Sequence, residues 1–250
     1  MVNAVRKPVS VCMAVYNGER YLKDQIESIL CELDHESDEL IIIDDFSEDR
    51  SKEIIGSYQH HAIRFYKNNS NLGYKKTFEK AIQLSENPVV FLSDQDDLWV
   101  TGRLMKMYER LIENDNLIVC SNFKTFDEEN KSIVRFKTKL VDDKDAINYH
   151  QNISRIFRGN IAYFGCTMAF SRDLKKYILP FPKYMYAHDL WIAMVGNVIK
   201  RISHLEDITL LHRIHQNNAS FIQRKLYKKL FTRLMFFRAL IEANRRKYFL

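Results

Sequence analysis

Paired cysteines are missing from this 250-residue chain. Cys12, Cys31, Cys120 and Cys166 are scattered, with no C-x-x-C and no metal-ligand spacing, which excludes a disulfide framework or a zinc module. Cys12 and Cys120 fall in apolar runs and read as buried free thiols of a reducing compartment. No stretch approaches the ~20 apolar residues of a membrane span. The opening MVNAVRKPVS lacks the apolar segment of a secretory leader, so a cytoplasmic location is expected. Internal repeats and low-complexity linkers are absent as well, which favours one domain. A basic surface on the body of the protein is also lacking. Residues 221–250 hold nine Lys or Arg against the single acid Glu242, a net of +8, so residues 1–220 carry −2 of the chain's +6. A nucleic-acid-binding fold usually displays its basic stripe on the fold itself, so no nucleic-acid partner is expected.

What is present is a globular composition, 46% hydrophobic and 28% charged, with enough chain for a sizeable core. Short apolar runs at Val9–Val15, Leu40–Ile43, Ile63–Tyr66 and Val89–Leu92 alternate with stretches of helical periodicity. Tyr21, Leu22, Ile26, Ile29, Leu30 and Leu33 form one such helical face. Further helices are predicted over residues 74–84, 103–112 and 188–199, and a partly helical stretch over 142–158. Further strands are predicted at Leu117–Cys120, Gly165–Phe170 and Ile208–His215. Strands alternating with helices imply an α/β fold with a mainly parallel sheet, whose ligands bind beyond the carboxyl ends of the strands. The polar residues gather there: Tyr16 and Asn17 after the first strand, Asp44 and Asp45 after the second, Asp94 to Asp97 after the fourth.

Three carboxylates in the four residues of D-Q-D-D repel one another unless they face water or hold a cation. An acidic loop in which Asp97 caps the next helix is the plain alternative. An EF-hand is excluded because its turn glycine is missing. A phosphatase built on an aspartate nucleophile would place its D-x-D after the first strand, not the fourth. Mg²⁺ or Mn²⁺ suits the pattern, because such ions take oxygen ligands and leave positions for substrate phosphates. In this arrangement Asp94 and Asp96 address one nucleotide–metal complex while Gln95 turns away. Asp45 can accept a hydrogen bond from a nucleobase imide, with Tyr16 offering a ring face. Uracil and thymine present the same imide.

The segments V-S-V-C-M-A-V-Y-N-G-E-R-Y-L, I-I-I-D-D-F-S-E-D-R-S, N-L-G-Y-K-K-T-F-E-K-A and F-L-S-D-Q-D-D-L-W, in this order, resemble family 2 glycosyltransferases with the GT-A fold. The S-D-Q-D-D-x-W form is similar to a rhamnosyltransferase-type branch that builds bacterial surface polysaccharides. The resemblance runs from about Val9 to Asn218. It implies that Tyr16 and Asp45 hold the base, that Lys76 reaches the nucleotide, and that Asp94 faces the ribose or metal. Asp96 would ligate the metal, joined by His215 of an H-x-x-N that ends at Asn218. Arg213 matches a basic position near the donor phosphates, although His212 and Ile214 depart from the family pattern around it. Asp189 in H-D-L-W matches the catalytic base, and Gly165, Cys166, Thr167 and His188 line the acceptor site. The resemblance thus implies inverting transfer of a sugar, rhamnose favoured, from a dTDP- or UDP-linked donor to a glycan or lipid-linked acceptor.

Two other readings follow from the residues. A nucleotidyltransferase of the same fold would need a Gly-rich loop after the first strand, which Tyr16-Asn17-Gly18-Glu19 does not supply. A non-catalytic sugar-nucleotide or glycan-binding module predicts a damaged base or metal site, yet Asp94, Asp96, Asp189 and His215 are all present. The transferase domain is expected over 1–220 and a helical tail over 221–250. In the tail Ile222, Leu226, Leu230, Leu234, Phe237 and Ile241 recur at helical spacing among basic residues. Such a helix either lies peripherally on an anionic membrane surface, here the inner face of the plasma membrane, or docks on protein.

Overall fold

A computed structural model describes residues 6–127, 139–215 and 226–249. Asn218 and Ile222 lie outside the described residues. One eight-stranded sheet runs through the molecule in the order β3-β2-β1-β4-β7-β6-β8-β5. Its first half is parallel, as the alternating pattern predicts. β1 (Val9–Val15) lies between β2 (Glu39–Asp44) and β4 (Val89–Ser93), and β3 (Ile63–Lys67) flanks β2.

The buried strands β1, β2 and β4 are apolar almost throughout because both sheet faces are covered. Cys12, Ile41, Ile43, Val90 and Leu92 face the side that receives Phe78 and Ile82 of α3 (Tyr74–Leu84) and Trp191 of α7 (His188–Ile199). Val11, Met13, Ile42 and Phe91 face the other side, against Leu22, Ile26 and Ile29 of α1 (Leu22–Leu30) and Met107 of α4 (Arg103–Ile112). The short α2 (Ser51–Gly56) follows β2, and α5 (Tyr149–Arg158) and α6 (Lys175–Ile178) serve the second half.

That second half is mixed in direction. β7 (Met168–Ser171) runs antiparallel to β4 and to β6 (Ile118–Phe126), and β6 pairs in parallel with β8 (Ile202–Arg213). The strand predicted at Gly165–Phe170 begins only at Met168. Its first three residues make a 3-10 turn, closed by the Thr167 amide and hydroxyl donating to the Phe164 carbonyl. β8 starts six residues before the predicted Ile208 because a register shift opposite Ser121 and Asn122 carries the pairing through a polar interruption.

Asp97 does not cap a helix. It leads into β5 (Leu98–Trp99), which pairs antiparallel with β8, Leu98 opposite Leu211 and Trp99 opposite Leu210. The residues after Leu211 are thereby laid beside the aspartates.

α8 (Leu226–Phe249) packs on the body with Met235, Ala239 and Ala243, all buried. Arg246 donates to the Tyr177 and Pro180 carbonyls and lies 5.1 Å above the Trp191 ring. Trp191 and Trp99 are buried packing residues. Ala239→Leu forces extra carbons into this seam and is expected to cost about 1–3 kcal/mol. Ile241→Ser, on the exposed face, is expected to change stability by no more than about 0.5 kcal/mol. Urea midpoints of the two variants against the parent check this.

Candidate active site

β1 and β4 end side by side, and their ends are fastened by a side chain. Gln95 accepts from the Tyr16 amide at 2.9 Å and donates to the Tyr16 carbonyl at 3.0 Å, extending the ladder beyond the strands. Gln95, expected to turn away from the aspartates' shared ligand, is directed to the backbone of Tyr16. Gly18 makes room for it, since a Cβ there would lie 2.5 Å from Gln95 Oε1. Gln25 of α1 supports the other side, donating to Ser93 Oγ at 2.6 Å and to the Asp94 carbonyl at 3.0 Å.

Tyr16 stands 47% exposed at this edge, as a ring offered to a ligand must. Asp45 is buried at the end of β2. It accepts from Asn68 Nδ2 at 2.8 Å and from the Leu72 and Gly73 amides at 2.9 and 2.8 Å, pinning the loop ahead of α3. Oδ2 takes only the Gly73 amide among the described residues, so acceptor capacity remains there. Lys76 is exposed on the first turn of α3. Its neighbour Lys75 instead donates to the carbonyls of Pro182, Lys183 and Met185, and Tyr74 Oη donates to the Tyr186 carbonyl. The approach to α7 is thus tied to the start of α3.

The aspartates diverge in environment. Asp94 is half-buried, and burial, with Asp97 and Asp96 close by, pushes its carboxyl far above the ordinary range. Asp96 Oδ2 lies 2.8 Å from His215 Nε2, and the His215 ring packs 4.9 Å from Tyr21. Asp97 is fully buried; its Oδ1 takes His212 Nδ1 at 2.8 Å and the Arg213 amide at 3.1 Å. Burial alone would pull the His212 imidazole down. The charge and hydrogen bond of Asp97, with Asp94 and Asp96 behind them, outweigh burial and hold it above its ordinary range.

Arg213, expected beside the donor phosphates, lies inside the protein. It is fully buried, with its guanidinium 4.6 Å from the Tyr21 ring and 4.8 Å from Phe126, and its Nε donates to the Asp96 carbonyl at 2.9 Å. The two rings flank the flat faces of the guanidinium, Nη2 lies 3.5 Å from Asp24 Oδ2, and the Nε bond holds the Asp96 backbone in place.

The residues expected on the acceptor side lie close together. Gly165 lies against His188, where a Cβ would fall 2.7 Å from Nε2. The His188 ring is buried, stacks 4.3 Å from Phe78, and is pulled down to about 3 by burial, so it is neutral. Asp189 follows in the first turn of α7, half-buried, its Oδ1 accepting from the Leu190 amide at 2.7 Å. A helix N-terminus favours a carboxylate there. Cys166 and Thr167 are buried in the turn beside Gly165, and burial with Asp97 and Asp94 holds the Cys166 thiol well above its ordinary range. A thiol that stays protonated is no nucleophile. Arg103 fixes this turn, donating to the Cys166 carbonyl at 2.6 Å and to Thr209 Oγ1 at 2.5 Å.

The donor set fits a hard divalent cation. Asp94 and Asp96 supply oxygen, His215 supplies nitrogen, and the burial and repulsion that push Asp94 toward its protonated form are what a bound cation would offset. Donor atoms of Asp97, Cys166 and His212 also lie within 4.8 Å of one another, but these groups are buried. Asp97, His212 and Arg103 were absent from the residues expected to matter. The one available signal was a third acid directly after a D-x-D, which reads equally well as a cap.

A family model for glycosyl transferase family 2 matches residues 10–178. An uncharacterized glycosyltransferase of Methanocaldococcus jannaschii is 29% identical over 240 residues, covering 93% of this chain and 79% of that protein. One of Rickettsia typhi is 24% identical over 232 residues, covering 90% and 70%. The structure resembles S. aureus TarS 1-349 in complex with UDP-GlcNAc, with a TM-score of 0.68 at 19% identity over 96% of this chain and 72% of that one. At that identity the likeness speaks for the fold.

His212→Ala leaves Asp97 buried without its cation and is expected to cost about 3 kcal/mol or more. A folded pKa held above the unfolded one contributes stability that is complete below the unfolded imidazole value of ~6.5 and is lost as pH rises through the raised folded value. Urea unfolding across neutral to alkaline pH should therefore show a decline in the parent that His212→Gln lacks.

Proposed function

Because the chain belongs to glycosyltransferase family 2, we propose that it is an inverting, metal-dependent enzyme moving a sugar, rhamnose favoured, from a dTDP- or UDP-linked donor. The acceptor would be a hydroxyl of a glycan or lipid-linked chain in surface-polysaccharide synthesis. The observation that carries this reading is the crowding of Asp94, Asp96 and Asp97 at the end of β4, with His215 on Asp96 and Asp94 disfavoured as an anion by its two neighbours. Such a site calls for a cation, and a cation there would offset charge growing on a leaving diphosphate. Asp94, Asp96 and His215 would hold Mg²⁺ or Mn²⁺.

The remaining steps belong to the chain's own groups. Tyr16 would stack on the base and Asp45 Oδ2 would accept its imide hydrogen, with exposed Lys76 beside the nucleotide. Asp189 would take the proton of the acceptor hydroxyl as its oxygen attacks the anomeric carbon opposite the diphosphate. A carboxylate is intrinsically a weak base, so positioning contributes more than basicity. The Gly165–His188 contact gives that positioning, because it fixes the start of α7 against the turn that carries Cys166 and Thr167. Neutral, buried His188 adds no charge beside the base.

Binding of dTDP-rhamnose and UDP-hexoses is measured by calorimetry with and without Mn²⁺, and turnover with a lipid-linked or glycan acceptor. Asp96→Ala should abolish metal-dependent donor binding. Asp189→Asn should leave donor affinity within about threefold while lowering kcat by about 10²–10⁴. Donor binding that ignores both metal and Asp96→Ala would defeat the proposal.

A further inference from the structure

The described side chains of the stripe that the sequence marks on the tail, Leu234, Phe237 and Ile241, are not on the face that docks. Along α8, Met235, Ala239 and Ala243 are buried against the body, while Leu234, Phe237, Ile241 and Tyr248 are 60%, 53%, 69% and 76% exposed. At about 100° per residue the two sets lie on opposite sides of the helix. Apart from one edge of the Phe237 ring, 5.7 Å from Phe157, docking on the body does not account for the second stripe.

Its surroundings are cationic. Arg233 borders it on one side, and Arg238 and Arg245 on the other, all exposed. Glu242 is the one acid on α8, and it is held by Arg245 at 2.8 Å and Arg246 at 2.8 Å. No helix among the described residues is long and apolar enough to cross a membrane. An exposed apolar stripe flanked by arginines, on a helix whose opposite face is anchored, has the chemistry of a surface-lying element. A second copy of this chain complements it poorly. A two-fold pairing of the stripe would bring Arg233, Arg238 and Arg245 toward their own counterparts without a free acid to meet them.

We propose that the outward face of α8 seats the protein on an anionic lipid surface, with Leu234, Phe237, Ile241 and Tyr248 entering the headgroup–acyl boundary and Arg233 and Arg238 meeting the headgroups. The contact does not depend on the transfer reaction, so its test and that of the donor site stand apart.

The full chain is sedimented with phosphatidylcholine vesicles with and without phosphatidylserine, at low and high salt. Binding is expected only with phosphatidylserine and weakens as salt rises. Phe237→Ser with Ile241→Ser should weaken it at least about tenfold. Arg233→Gln with Arg238→Gln should weaken it by about tenfold or more. Unchanged urea midpoints and donor binding would show that both variants remain folded. No sedimentation with phosphatidylserine, or equal sedimentation with both vesicle types, would overturn the proposal. So would a dimer in ultracentrifugation that Phe237→Ser with Ile241→Ser dissolves, since a second copy would then be what the stripe receives.

Discussion

Like charges gathered at one strand end must be compensated, and in this protein the compensation comes from a distant part of the chain. Asp97 is buried, and a buried carboxylate needs a partner. That partner, His212, is more than a hundred residues away and reaches it because β5 and β8 pair for two residues. The same two-residue ladder delivers Arg213 to the Asp96 carbonyl and His215 to the Asp96 carboxylate. One short antiparallel contact therefore both neutralises the innermost acid and finishes the outer site. The division of labour among the aspartates follows: Asp97 shares its Oδ1 between His212 and the Arg213 amide, Asp96 shares its Oδ2 with His215, and Asp94 is left crowded by both acids.

The parallel half of the fold was legible because its physics is local. A strand covered on both faces must be apolar throughout, and Val9–Val15 and Leu40–Ile43 announce that directly. The second half was less legible because its geometry depends on partners. Gly165 to Thr167 have the composition of a strand, but Gly165 must approach His188, and the chain turns before it extends. β8 continues through Glu206 and Asp207, which periodicity alone reads as a break.

Much the same boundary runs through the site. Tyr16, Asp45, Asp94 and Asp96 were legible from position, since polar residues following an apolar run in a parallel sheet stand at its binding edge. The burial of Arg213 was not legible, because a basic residue near acids suggests an anion clamp and nothing in the pattern shows that Tyr21 and Phe126 flank its guanidinium. Gln95 and Arg103 carried no signal at all. Their roles are to bond backbone carbonyls at Tyr16 and Cys166, and a side chain's choice of a distant carbonyl leaves no mark on periodicity.

α7 joins the separate parts into one mechanical unit. It is buried on nearly every side, which explains why its residues are apolar around the full circumference and not along one stripe. Its twelve residues span about 18 Å. At one end Asp189 sits in the first turn, beside the His188 ring that Gly165 and Phe78 confine. Arg246 of α8 stacks on Trp191, two residues further along. A force or constraint applied to α8 is thus passed through close-packed side chains to the helix that carries the proposed base. Close packing makes such a helix move as a body or not at all. The body of the protein therefore holds Asp189 by the same contacts that leave the outer stripe of α8 facing solvent.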